Sequence, residues 1–167
     1  MARRVDIQRR RAQIVDLMAD FPRQYTALET AMSIFGEDFD LTPFKRAYET
    51  ETDMDAYNQV QAVERGIGRV QNYVADLSIA GARLADLALA SSDHDAIAVR
   101  AFAALREEKV IGAELCRRLT RAQKARTMIE HSYVRVPAGD VHRAAKLVRE
   151  SARDFIGRYR DWIERYL

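Results

Sequence analysis

One cysteine, three prolines and seven glycines in 167 residues leave several architectures out of reach. Cys116 alone excludes an internal disulfide and any zinc site built on several cysteines. It is expected to be buried rather than reactive. So little glycine and proline argues against a disordered or low-complexity chain. No apolar run approaches the roughly 18 residues of a membrane span. The opening Met1-Ala-Arg-Arg-Val-Asp6 leads into charge rather than an apolar signal core, so a cytoplasmic protein is expected. No strand alternation and no internal repeat stand out. Asp53-Met-Asp55 lacks the remaining ligands of a calcium loop, and nothing else is spaced as a metal cluster. Gly66-x-Gly68 follows no strand, so it reads as close helix packing rather than a nucleotide loop. Neither metal nor cofactor is expected.

What is present is helix. Hydrophobic residues make up 48% of the chain and charged residues 31%, which suits one soluble domain with a real core. Ala, Leu, Arg, Glu and Gln dominate, and apolar residues recur at three and four. A first helix is expected over about residues 5–20, and Pro22 is expected to start a second over about 22–35. Gly36 to Thr42 reads as a loop, with Pro43 opening a short helix. Asp53 or Asp55 should cap a long helix reaching about Leu89. Ser91-Ser92-Asp93 breaks the chain and caps a helix over about 94–108. Gly112 precedes a helix over about 113–133, Val136 to Asp140 is a turn, and a last helix covers about 141–165. The expected fold is all-α, an up-down bundle of about five main helices. The longest helix, roughly 50 Å, is too long for a compact bundle. It must kink near Gly66 or Gly81, or lend part of its length to a second subunit.

The net charge of +2 hides an asymmetry. Residues 29–64 hold Glu29, Glu37, Asp38, Asp40, Glu49, Glu51, Asp53, Asp55 and Glu64 against Lys45 and Arg46. Residues 115–146 hold Arg117, Arg118, Arg121, Lys124, Arg126, Arg135, Arg143 and Lys146 against Glu130 and Asp140. Such a basic stretch attracts phosphate by Coulomb forces and counterion release. Arg117, Arg118, Arg121, Lys124 and Arg135 are therefore candidate RNA contacts. The bland alternative is a solvated face balanced by the acidic segment. Arg9-Arg10-Arg11 reads equally as an RNA-gripping patch or a solvated helix start.

Within the basic stretch, Arg126-Thr-Met-Ile-Glu-His131-Ser-Tyr133 spells R-x-x-x-x-H-x-Y. An arginine keeps its charge at any working pH and grips phosphate bidentately. An imidazole moves the protons that cleavage at a ribose 2′-hydroxyl requires, without a metal. On an ideal helix Tyr133 lies about 20° from Arg126, while His131 lies about 140° away. Either the last turn unwinds before Pro137, or the groups converge by arginine reach and a second subunit. Against this stand plainer readings: an interface histidine, one more surface arginine, and a tyrosine that packs on the last helix. His142 reads as a first-turn residue without a role, near enough in sequence to touch RNA.

The flanks add a resemblance. The run Ala101 to Leu115, then Leu119, then Arg126 to Tyr133 resembles the HepT-like branch of the HEPN superfamily. Gln61-Ala-Val-Glu-Arg65 with Ala75-Asp-Leu77 is similar to that family's long second helix, and Val141 to Trp162 to its last. The likeness covers about residues 55–162, within a single HEPN-like domain over 1–167. The first 50 residues form an atypical extension. It implies a metal-independent endoribonuclease, often a toxin encoded beside a minimal nucleotidyltransferase antitoxin. It also implies a homodimer whose paired Arg126 and His131 line one cleft, and Tyr133 as acceptor of an AMP group. The products would be a 2′,3′-cyclic phosphate and a 5′-hydroxyl. Thr127 departs from the family, which has a polar amide such as asparagine there. A hydroxyl lacks the amide's reach. The alternative is thus a weak or inactive bundle that binds RNA, nucleotide or a partner protein.

Overall fold

Ile14, Phe21, Leu28 and Phe35 recur every seven residues and are all buried. That stripe builds the first helix of the computed structural model, which describes residues 2–50, 52–89 and 93–167. Six helices follow in order: α1 (Ala2–Ser33), α2 (Leu41–Glu49), α3 (Met54–Leu84), α4 (His94–Glu107), α5 (Ala113–His131) and α6 (Ala138–Ile163). The described residues contain no strand. None of the helices is long and apolar enough to cross a membrane. The fold is an all-helical bundle.

Pro22 does not divide α1. The helix runs through it over 32 residues. Proline forfeits one backbone hydrogen bond and costs about 3 kcal/mol inside a helix. Phe21 and Leu28 flank it and are buried against the bundle. Fully burying each such side chain contributes about 1.5–3 kcal/mol, so a continuous stripe outweighs the proline.

Helix α3 is the central post and packs against all five other helices. Asp53 caps it, accepting from the amides of Asp55 and Ala56 at 2.9 and 3.1 Å. It runs unbroken through Gly66 and Gly81. Its 31 residues pack mainly against α1, which has 32. Glycines let neighbours close in. A Cβ at Gly66 would lie 2.8 Å from Leu28 of α1, and one at Gly81 would meet Tyr159 and Trp162 of α6. Tyr159, fully buried, donates to the Leu77 carbonyl at 2.6 Å.

Helix α3 stops at Leu84, five residues short of expectation. Asp86 takes a left-handed φ of 61°. The amides of Asp86 and Leu87 then bond back to Arg83 and Ala82 at 3.3 and 2.8 Å. This is a Schellman stop with aspartate where glycine is usual. Lys109, at φ 59°, ends α4 likewise. The expected break at Ser91-Ser92 lies outside the described residues; Asp93 caps α4 by accepting from the Asp95 amide at 3.1 Å. Helix α5 ends at His131, two residues early. Helix α6 begins at Ala138, because the Pro137 carbonyl accepts from the amides of Asp140 and Val141. The expected turn is therefore its first turn.

Candidate functional site

Spacing along α5 decides what the motif touches. Gln123, Arg126, Thr127 and Glu130 fall on one face of a 3.6-residue helix, turned toward α3 and α4. There they meet Asp95, in the first turn of α4, where the helix N-terminus favours a carboxylate. Gln123 donates to Asp95 Oδ1 at 2.8 Å and Thr127 Oγ1 to Asp95 Oδ2 at 2.8 Å. Arg126 Nη1 reaches Asp95 Oδ1 at 3.3 Å, and Nη2 meets Glu130 Oε2 at 2.6 Å. Behind them Gln71 of α3 donates to Gln123 Oε1 at 3.0 Å. His94 lies beside, 3.1 Å from Asp76 and 3.7 Å from Asp95.

Burial pushes the Asp95 carboxyl up. Hydrogen bonds from Thr127 and Gln123 and the charge of Arg126 outweigh that, and hold it below its ordinary value. It is an anion organised by three donors. The Arg126 side chain is only 13% exposed and faces two carboxylates. Its Nε is buried without a partner. The guanidinium is thus held and largely neutralised, not open to solvent. Thr127 belongs to this assembly: its short hydroxyl suffices because Asp95 comes to it.

His131 and Tyr133 stand elsewhere. Helix α5 remains regular through His131, so no unwinding brings the imidazole round to Arg126. The two side chains leave one helix about 140° apart. His131 is exposed and Tyr133 is fully so. Tyr133 therefore packs on nothing.

The basic stretch divides. Arg117 pairs with Glu114 on its own helix. Arg118 is 2.7 Å from Asp154 of α6. Arg121 and Lys124 are exposed and lie about three and two turns before His131. Arg135 is off the helix, its guanidinium 4.0 Å from the centre of the Tyr48 ring. His142 is buried, stacked on Phe39, with Nε2 2.6 Å from the Phe39 carbonyl oxygen, which removes it from any RNA contact. Cys116 is buried, and burial pushes its thiol up. Among the described residues no group of three or more His, Cys, Asp or Glu is placed to hold a metal ion.

Sequence reasoning missed Asp95, Gln123, Gln71 and Glu130. Glu130 was legible as the residue four after Arg126, the spacing of a helical ion pair. Asp95 resembles any acidic first-turn residue, and its role needs the α4–α5 packing. Comparisons with protein-family models, curated proteins and solved structures give no match for this chain.

Proposed function

We propose that this chain is a metal-independent endoribonuclease of HEPN type whose centre is completed between two copies. The observation that carries it is the motif's setting at the end of α5. Imidazole and phenol are open to solvent, Arg121 and Lys124 approach along the same helix, and the Arg126 guanidinium is held in place on another face of it. One helix turns Arg126 and His131 apart, so a single chain does not aim both at one phosphate. Two copies related by a twofold axis supply both groups from both sides. An imidazole takes the 2′-hydroxyl proton, the 2′-oxygen attacks phosphorus, and the imidazolium so formed returns the proton to the departing 5′-oxygen. Arg126 exchanges Glu130 for a phosphate oxygen.

Within the same proposal, the RNA cleaved is cellular, the chain is a toxin, and a nucleotidyltransferase antitoxin silences it. The exposed Tyr133 hydroxyl is accessible for adenylylation. An AMP group there adds negative charge beside the phosphate path and repels RNA.

One observation favours a second reading, an RNA- or partner-binding module without cleavage. Asp95 and Glu130 already occupy both Nη groups of Arg126. Purified protein with total RNA in EDTA separates the two. Products ending in 2′,3′-cyclic phosphate, absent with His131→Ala, support the enzyme. Binding without products assigns the module, and a magnesium requirement contradicts the enzyme.

A further inference from the structure

A cleft of about 420 Å³ opens beside the motif, bounded by the end of α2, the start of α3 and the segment after His131. Its size falls within the roughly 300–1,000 Å³ of small-molecule sites. Tyr48, Tyr57, Gln61, Glu64, Val134 and Arg135 face it. The uncommon member is Glu64, a half-buried carboxylate. Burial pushes its carboxyl above its ordinary value, and the Arg135 charge offsets this only in part. The Arg135 guanidinium rests on the Tyr48 ring, and among the described residues no ion pair closes on Glu64. Gln61 donates to Oε2 at 2.5 Å and is the sole donor to the carboxylate among the described residues. A desolvated carboxylate with spare acceptor capacity favours a ligand bearing two adjacent N–H donors.

We propose that this cleft is a nucleobase site that selects guanine, with Glu64 accepting from its Watson–Crick edge. Among the four RNA bases only guanine sets two N–H groups, N1–H and the exocyclic amine, side by side on that edge. Adenine and cytosine set a lone pair beside their amine, which a carboxylate repels. Uracil flanks its single N–H with two carbonyls. RNA-binding sites read unstacked bases by such edges together with aromatic stacking. Tyr57 is the ring for stacking: it lines the cleft and is half exposed, whereas Tyr48 is buried and covered by Arg135. Ile129 and Ser132, which also line the cleft, lie in the motif on either side of His131, so the cleft adjoins the motif's end. The selected guanine is then a nucleotide next to the scissile phosphate. This rests on the ribonuclease reading for its biological sense, but its binding chemistry is separable.

The test uses the full chain and the four nucleosides, which carry no phosphate. Titration followed by amide NMR shifts should show guanosine binding at least about tenfold tighter than adenosine, cytidine or uridine, with shifts at Tyr57, Glu64 and Val134. Glu64→Gln should keep the helical fold and lose that preference, because an amide matches the amine and ring nitrogen of adenosine and cytidine alike. Tyr57→Ala should weaken all four alike. Sequenced cut sites should show guanine enriched beside the cut, and Glu64→Gln should abolish the enrichment. Equal binding of the four nucleosides, or a guanosine preference that survives Glu64→Gln, overturns the proposal. Guanosine binding by a protein that cuts no RNA would leave the pocket standing and remove the ribonuclease.

Discussion

Arg126 closes on Glu130 across a seat that Gly68 leaves open. Arg126 Nη2 lies 2.6 Å from Glu130 Oε2, and a Cβ at Gly68 would lie 2.5 Å from Glu130 Oε1. The glutamate therefore competes with any phosphate for the motif arginine. Glu130→Gln keeps the shape, removes one negative charge and weakens the competitor. RNA affinity at low salt should rise about tenfold, the worth of one charge-assisted hydrogen bond. Filter binding of a His131→Ala, Glu130→Gln double variant against His131→Ala alone measures it. Unchanged or weaker binding would mean that phosphate never reaches Arg126.

Asp95 gathers donors from three residues, so its loss should be felt as stability. Asp95→Ala leaves Gln123, Thr127 and Arg126 without their shared acceptor, at a cost of about 2–4 kcal/mol. The melting temperature should drop by about 5–15 °C. The carboxyl is held below its ordinary value in the fold, so its contribution is complete above the unfolded value. It is lost as pH falls through the lower, folded one. The wild type should therefore lose stability below about pH 4 more than Asp95→Ala does. Parallel acid melts of the two proteins would refute this account of Asp95.

Gly81 and Pro22 test the bundle in opposite directions. Gly81→Ala drives a methyl group into Tyr159 and to 2.9 Å from Trp162, displacing the Tyr159 hydrogen bond to Leu77. Overpacking of this kind costs about 1–3 kcal/mol. Pro22→Ala restores an amide inside a continuous helix and should stabilise by up to about 3 kcal/mol. Thermal melts followed by circular dichroism check both. A stabilised Gly81→Ala or a destabilised Pro22→Ala would contradict the packing described.

The two errors at α1 and α3 show where sequence stops being legible. The stripe Ile14, Phe21, Leu28 passes unbroken through Pro22, and its burial outweighs the proline. The end of α3 had no such signal, since Asp86 carries the left-handed turn that glycine usually marks. At the site, the motif itself and the 140° divergence of Arg126 and His131 were readable from spacing. That Asp95 and Glu130 would enclose the arginine was not, because Asp95 comes from another helix. The Glu64 cleft was invisible for the same reason: it joins α2, α3 and the segment after α5.

The most direct measurement is complementation in EDTA. Arg126→Ala and His131→Ala are purified separately and assayed on total RNA alone and mixed. Each alone should be inactive. The mixture should recover a measurable fraction of wild-type cleavage, and wild-type activity per chain should fall on dilution. Activity per chain that does not change on dilution, or full cleavage by His131→Ala, would contradict a centre completed between two copies.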